Sequence, residues 1–466
     1  MAVRGVVAAG HPLTAKAGAD VVRAGGNAVD GAIAALLASI ATEPLLTGLG
    51  AAGYMLVAPP GEEPVLLDFS AEAPGRGVDV ADRVPLTPFV VQFGDASQEF
   101  HVGPSSCATY GVPAGVAMAA ELFGSVALPE LVRPAVALAR DGVRINQYQA
   151  HAFDLLAPLA TAAGLLVRGR IPVRGDLLRQ PELAESLDRL GRDGAAPFYT
   201  GDIGTAIADE VRALGGTLSR EDLAAYRVVR RTPLHVAHRG RLIHTNPPPA
   251  AGGALLAHLL EVLPERPDTT QLVRAMASTP DLMVDRLGST THISVLDADG
   301  LACSVTCTNG AGSGVAVRGT GVHLNNMMGE EDLSPDGFFT HAIGDRLPSM
   351  MAPTVVTVDG VPELVLGSAG SSRICGAILQ VLVNVVDRGM RAQEAVDAPR
   401  LHVSGGLVQA EPGVDVTALE TAGYAVTRFG ASSMFFGGCQ VVERVRGTGE
   451  LVGGGDHRRD GAVVVA

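Results

Sequence analysis

The sequence has no tryptophan, and aromatic residues make up only 4% of its 466 residues. Positive charge is also scarce, because 35 Lys and Arg stand against 49 Asp and Glu, which gives a formal net charge of −14. No basic run could follow a phosphate backbone, so we expect no nucleic-acid partner. The 58 glycines instead predict close packing of the backbone rather than an aromatic-rich binding surface.

Long apolar runs and metal-ligand patterns are missing as well. No run reaches the length of a membrane span, so no membrane partner is expected. The 12 histidines show no His-x-x-x-His spacing, and we predict neither a metal nor a cofactor. Five cysteines without metal-ligand spacing are expected to be buried free thiols. Free thiols, and an N-terminal stretch too short for a secretory signal, favour a cytoplasmic location.

Helices and strands interleave along the chain, which indicates a layered α+β fold. Thr14 is predicted to cap a helix over residues 15–24, and an Ala-rich helix follows over 29–41. Further helices are expected over 202–214 and 374–386, and a strand at the end of the chain. The segment at about 264–289 is charged and contains prolines, as expected of a linker.

A β-hairpin is predicted in the middle of the chain. Two runs of β-branched and apolar residues, 291–296 and 301–306, flank Ala298-Asp299-Gly300, a turn that needs glycine at positive φ. A three-residue loop with a glycine bulge would pair Thr290 with Thr308, whereas a two-residue loop would pair it with Asn309. Either register leaves a hydroxyl-rich end where the hairpin opens.

Thr290 becomes a competent nucleophile only if the Ser289–Thr290 bond is cut. A threonine hydroxyl is protonated at neutral pH and needs an adjacent base. Cleavage would give Thr290 an α-amine of pKa about 7.7–8, so that one residue supplies both the nucleophile and the base. The alternative is a buried hairpin with polar ends and no chemistry.

The hairpin and its flanks resemble a known family. Thr-Thr-His-x-Ser-Val-x-Asp-x-Asp-Gly from Thr290, then Ser-Val-Thr-x-Thr and Gly-Thr-Gly-Val-x-Leu-Asn-Asn, are similar to the start of the small subunit of the gamma-glutamyltransferase family. The resemblance implies an N-terminal-nucleophile hydrolase with a four-layer αββα sandwich. It also implies self-cleavage into a large subunit of residues 1–289 and a small subunit of residues 290–466 that form one structural domain.

The resemblance assigns catalytic roles to four residues. Thr290 would be the nucleophile, and Thr308 would supply the hydroxyl that orients it. Residues 366–374 resemble the family's Gly-Ser-x-Gly-Gly-Ser-Arg-Ile turn, whose backbone N–H groups form the oxyanion hole. Gly370 and Ser371 would therefore be the donors, and serine in place of glycine need not abolish a backbone donor.

The chain departs from the family where a glutamyl group would bind. The corresponding positions hold Ser70, Asn309, Met327, Glu330, Ser349 and Met350. The family has an arginine at position 70 that grips the glutamyl carboxylate, and Arg76 is the nearest replacement. Methionine at 327 and 350 replaces a glutamine and a serine, although Glu330 can still pair with an ammonium.

These departures predict a small-molecule substrate with an acyl group other than glutamyl. The expected reaction is amide hydrolysis or acyl transfer through an acyl-enzyme on Thr290. Three alternatives stay open: hydrolysis of a C–C bond in a 2-oxo acid intermediate of a natural-product pathway, true glutathione hydrolysis or gamma-glutamyl transfer, and a non-catalytic scaffold. The partners expected are the two subunits of one precursor, and a homo-oligomer is left open.

Overall fold

The computed structural model describes residues 3–93, 96–279 and 289–466. Its α-helices are α1 (Pro12–Arg23), α2 (Ala28–Thr42), α3 (Val112–Phe123), α4 (Leu128–Asp141), α5 (Gln147–Leu155), α6 (Ala157–Ala162), α7 (Pro181–Asp193), α8 (Ala196–Tyr199), α9 (Asp202–Ala213), α10 (Arg220–Ala225), α11 (Ala251–Val262), α12 (Thr269–Ala277), α13 (Arg373–Val386), α14 (Ala392–Asp397) and α15 (Thr417–Thr421). Its strands are β1 (Gly5–Ala9), β2 (Ala52–Ala58), β3 (Val65–Phe69), β4 (Thr87–Phe93), β5 (Ala96–Val102), β6 (Val143–Arg144), β7 (Leu177–Leu178), β8 (Val229–Arg231), β9 (Leu234–His238), β10 (Arg241–Thr245), β11 (Ser289–Asp297), β12 (Ala302–Gly310), β13 (Ala316–Val317), β14 (Val322–His323), β15 (Thr354–Val358), β16 (Val361–Ala369), β17 (Leu401–Ser404), β18 (Leu407–Ala410), β19 (Ala425–Arg428), β20 (Gly438–Arg444), β21 (Leu451–Gly455) and β22 (Ala462–Val465).

Two large antiparallel sheets form the centre of the protein. The seven-stranded sheet has the order β22-β1-β11-β12-β2-β3-β8, and the six-stranded sheet has the order β21-β20-β16-β15-β10-β9. Strand β11 is central in the first sheet and contacts β16 and β20 of the second. Helix α2 packs on the other side of β11, while α13 packs on β16 and β20. Strand β11 is thus covered on both faces.

The burial pattern follows from this arrangement, because successive side chains of a strand point to opposite faces. Ile293 and Val295 belong to an apolar cluster with α2, whereas Leu296 belongs to a second cluster with α11 and α13. By the same alternation, the side chain of Thr290 lies on the face of Leu296, and that of Thr291 lies on the face of α2. The two threonines therefore enter different environments.

The hairpin has the three-residue loop. Thr290 pairs with Thr308, and the register continues to Leu296 opposite Ala302. The N–H of Asp297 donates to the carbonyl of Leu301 at 3.1 Å. Gly300 has φ +96°, the left-handed conformation that the turn requires. The register shifts between Ser289 and Thr290, so an irregularity lies at the predicted cleavage site.

Most predicted helices are present, but the cap of α1 was predicted wrongly. His11 caps α1, and its ring Nδ1 accepts from the N–H of Leu13 at 3.1 Å, because Pro12 already begins the helix. Thr14 is instead inside the helix and buried, with its hydroxyl 2.7 Å from that of Thr42. The cap therefore lies three residues earlier than the sequence pattern indicates.

Helix α12 lies within the segment predicted to be a linker. Asp268 caps it by accepting from the N–H of Gln271 at 2.8 Å, and its buried residues are Leu272, Val273, Ala275 and Met276. These apolar residues lie on one helical face and pack into the core. This part of the segment is therefore more buried than its charged composition indicates. Residues 280–288 of the predicted linker lie outside the described residues. Among the helices that are described, none has the length and apolar character needed to span a membrane.

Candidate active site

A cleft of about 480 Å³, open solvent at its mouth included, lies at the open end of the β11–β12 hairpin. Eight of the ten predicted catalytic and substrate-binding residues line it: Ser70, Thr290, Thr308, Met327, Glu330, Ser349, Met350 and Ser371. The sequence did not point to the remaining described lining residues, which are Gly310, Asp332, Leu333, Pro348, Met351 and Ile374. The fold thus brings together positions that are up to about 300 residues apart in sequence.

Two of the predicted catalytic and substrate-binding residues, Asn309 and Gly370, do not line the cleft. Asn309 is fully buried, and its N–H donates to the carbonyl of Leu46 at 3.0 Å. Its side-chain amide lies 3.5 Å from the carbonyl oxygen of Leu324, so Asn309 supports the wall from behind. Gly370 precedes the lining residue Ser371 and has φ +128°, which a side chain would strain.

The two threonines of the predicted mechanism lie side by side across the hairpin. The Thr308 hydroxyl donates to the carbonyl oxygen of Ser289, which belongs to the Ser289–Thr290 peptide bond. The same hydroxyl accepts from the N–H of Gly310 at 2.9 Å, which fixes the direction of its proton. Thr290 itself is only 3% exposed. This arrangement polarises the carbonyl that the predicted cleavage would attack.

The turn before α13 forms another wall of the cleft. Ser371 has φ +50°, which is unusual for a residue with a side chain. The N–H of Arg373 donates to the carbonyl of Gly370 at 3.1 Å, and that of Ile374 donates to the carbonyl of Ser371 at 3.0 Å. The N-terminus of α13, with its positive end of the helix dipole, therefore lies at the cleft.

Among the residues that the structure describes, no arginine replaces the carboxylate-binding side chain that the family has at position 70. The guanidinium of Arg76 lies 3.3 Å from Asp222 and 3.6 Å from Glu72, and Arg76 is absent from the described cleft lining. Arg346 reaches Ser70, but it donates to the backbone carbonyl there. Ser70 thus presents a small side chain to the cleft, and the neighbouring arginines are tied to protein groups.

The remaining walls combine thioethers with a carboxylate that is already engaged. Met327, Met350 and Met351 are buried and line the cleft with flexible, polarizable side chains. Glu330 Oε1 accepts from the N–H of Ala311 at 3.2 Å, so this carboxylate helps to hold the glycine-rich loop after β12. The cleft lining therefore combines apolar thioether surface with polar groups.

Glu43 lies behind β11, on the face opposite the cleft. The hydroxyl of Thr291 is 3.2 and 3.3 Å from its two carboxyl oxygens, and that of Thr14 is 3.4 Å away. Burial raises the pKa of Glu43 to about 7, and these hydrogen bonds and the charge of Arg459 offset it only in part. The only signal for this contact in the sequence is a lone acid at the end of an apolar helix.

His292 lies between the two sheets, close to the site but enclosed by protein. Its ring nitrogens are 2.8 Å from the hydroxyl of Thr306 and 2.9 Å from that of Ser294. Burial lowers the pKa of His292 to about 3, so the ring is neutral near pH 7. It braces the strands rather than carrying charge. Within the described ranges, no three His, Cys, Asp or Glu side chains are grouped as metal ligands.

Comparison with known proteins gives the family. A family model described as gamma-glutamyltranspeptidase matches residues 14–287 and 267–466. The chain belongs to the gamma-glutamyltranspeptidase family. It is 30% identical to the acylase ACY 1 proenzyme of Pseudomonas sp. (strain SE83), over 99% of this chain and 93% of that protein.

Other members of the family carry two kinds of name. The glutathione hydrolase proenzyme of Escherichia coli (strain K12) is 30% identical over 86% of this chain and 81% of its own length. The crystal structure of a cephalosporin acylase from Bacillus halodurans superposes with a TM-score of 0.85 at 26% identity, covering 99% of this chain and 96% of that one. These likenesses show a mixed α/β enzyme fold, and the names of the relatives differ in the substrate that they indicate.

Proposed function

We propose that the chain is a proenzyme that cuts its own Ser289–Thr290 peptide bond and then transfers acyl groups through Thr290. The observation that carries the proposal is the Thr308 hydroxyl bonded to the Ser289 carbonyl, directly beside Thr290 at the cleft. The proenzyme names of the Pseudomonas and Escherichia coli relatives support the processing step. The products would be residues 1–289 and 290–466, held in one four-layer αββα sandwich.

The processing step needs no outside reagent except water. Thr290 Oγ attacks the carbonyl carbon of Ser289 and loses its proton, and the C–N bond breaks as the nitrogen of Thr290 takes up a proton. Water then hydrolyses the resulting ester, which leaves a carboxylate on Ser289 and a free hydroxyl and amine on Thr290. The Thr308 hydroxyl donates to the oxygen that becomes negative during the attack.

After processing, Thr290 Oγ serves as the nucleophile in turnover. Thr290 Oγ attacks the carbonyl carbon of the substrate amide, and the α-amine accepts the hydroxyl proton and passes it to the departing amine. The backbone N–H groups of Gly370 and Ser371 stabilise the tetrahedral oxyanion. Water or an acceptor amine finally releases the acyl group from the Thr290 ester and restores the hydroxyl.

The acyl group is proposed to be uncharged and largely aliphatic. Ser70 cannot form the bidentate bonds that an arginine gives a carboxylate. With Ser70 and Met350 at these positions, a glutamyl carboxylate would be poorly satisfied, and a buried group left unpaired costs about 1–3 kcal/mol. Two relatives are named acylases, which supports acyl transfer in general, whereas the glutathione hydrolase names favour a glutamyl group.

A panel of p-nitroanilides separates these two substrate classes. Hexanoyl- and propanoyl-p-nitroanilide should be cleaved with kcat/KM at least about tenfold above that of gamma-glutamyl-p-nitroanilide, since one lost polar contact is worth about that factor. The Thr290→Ala variant controls for contaminating hydrolases. Ser70→Arg should narrow the difference by raising the gamma-glutamyl rate. Efficient gamma-glutamyl turnover by the wild type would overturn the assignment of the acyl group.

A further inference from the structure

A hydrogen bond ties the turn before α13 to a distant acidic segment. The Ser371 hydroxyl donates to Oδ2 of Asp332 at 2.5 Å, and 39 residues separate the two in sequence. Asp332 lies in the short 3₁₀ turn Glu331–Leu333, and both Asp332 and Ser371 line the cleft beside Thr290. The bond thus connects two walls of the cleft.

Ser371 needs such an anchor because of its backbone conformation. At φ +50° a side chain crowds the backbone, so a serine costs free energy relative to glycine at this position. The family pattern has glycine at the position of Ser371. A charge-assisted bond to a carboxylate is short and directional, and it fixes the serine side chain in one rotamer. The exchange of glycine for serine thus adds a constraint.

The constraint acts on the peptide unit proposed to stabilise the oxyanion. The carbonyl oxygens of Gly370 and Ser371 are already held by the N–H groups of Arg373 and Ile374. Fixing the Ser371 side chain restricts the backbone rotation that these two hydrogen bonds leave open. It thereby fixes the direction of the Ser371 N–H. A backbone donor contributes to the rate only if it points to the position that the oxyanion will occupy.

We propose that Asp332 is a positioning residue that, through the Ser371 hydroxyl, orients the Ser371 N–H toward the acyl oxyanion. The inference rests on the proposed acyl transfer through Thr290. Asp332 does not contact the reacting atoms in this account, and its carboxylate accepts from the serine. The alternative is that Asp332 binds an ammonium group of the substrate, in which case its charge rather than its acceptor oxygen matters.

Steady-state kinetics of the matured enzyme with p-nitrophenyl acetate test the proposal, because this activated ester carries no charged group. Asp332→Ala and Ser371→Ala should each lower kcat about tenfold, with KM changed by less than about threefold. Asp332→Asn should restore most of the lost kcat, since its amide oxygen can accept the same bond. Asp336→Ala, an exposed position four residues further on, is the matched control.

A double-mutant cycle gives the decisive readout. Ser371→Gly suits φ +50°, so this variant should fold even if the alanine variants do not. With the hydroxyl gone, adding Asp332→Ala should change kcat by less than about twofold, whereas in the wild-type background it should cost about tenfold. Equal losses in the two backgrounds would overturn the proposal, as would a rise in KM alone. A wild type that neither matures nor cleaves the ester would instead refute the proposed function.

Discussion

Replacing Glu43 with glutamine should change how the stability of the protein depends on pH. Burial raises the pKa of this carboxyl from 4.5 to about 7 in the folded chain, where Arg459 lowers it and Asp460 raises it. Between these two values the folded protein keeps a proton that the unfolded chain has lost. The unfolding free energy of the wild type therefore falls as pH rises through this window, and glutamine removes that term.

The magnitude follows from the two pKa values. A change in pKa from 4.5 to about 7 corresponds to about 3 kcal/mol, most of which falls between pH 5 and pH 8. Relative to its parent, the Glu43→Gln variant should thus gain about 2–3 kcal/mol in unfolding free energy over this range. Effects of titrating groups that do not interact with Glu43 cancel in the difference.

The assay is urea unfolding followed by circular dichroism, because the chain has no tryptophan for fluorescence. Both proteins carry Thr290→Ala, which is expected to keep each as one uncut chain. Glu62→Gln, at an exposed position, is the control. Its unfolding free energy relative to the same parent should not change with pH. If the difference in unfolding free energy between Glu43→Gln and its parent changes by less than about 1 kcal/mol from pH 5 to pH 8, or falls, then Glu43 does not keep its proton in the folded chain.

Three further results are expected. Gly367→Ala should block maturation or lower stability by more than about 2 kcal/mol, because its Cβ would lie 2.3 Å from the ring of His292, whereas Gly430→Ala, with open space around it, should be neutral in a thermal melt. Native protein should show no thiol labelling with a maleimide at pH 7 and five labels per chain in denaturant, since every cysteine is buried, and labelling of the native form would contradict this. Thr308→Val should slow self-cleavage about 100-fold or more in a time course on gels, and an unchanged rate would exclude the Thr308 hydroxyl from processing.

Local patterns predicted the hairpin well. The turn residues and the period-two alternation placed Thr290 opposite Thr308, given a three-residue loop, and this register is present. The same patterns misplaced the cap of α1, because His11 and Pro12 start that helix before Thr14. A cap depends on which of several polar side chains reaches the free N–H groups, and Thr14 is instead held by Thr42 from another helix.

Contacts between distant segments were much harder to predict. Asp332 and Glu43 carry no periodicity or motif, and they matter because the fold places them against Ser371 and Thr291. The position of Asn309 was predicted from resemblance, yet the strand turns its side chain into the protein behind the cleft. Such contacts depend on how distant segments pack in the folded chain, and local sequence patterns do not indicate that packing. The roles assigned to the site residues stay predictions.

The intact mass of the purified protein, measured beside the Thr290→Ala variant, shows whether the Ser289–Thr290 bond is cut. We expect two fragments for the wild type, ending at Ser289 and beginning at Thr290, and one full-length chain for the variant. Incubation of the wild type with p-nitrophenyl acetate should then add one acetyl group to the fragment that begins at Thr290. A single uncut chain in both proteins would contradict the account, because Thr290 would never acquire the amine on which its chemistry depends.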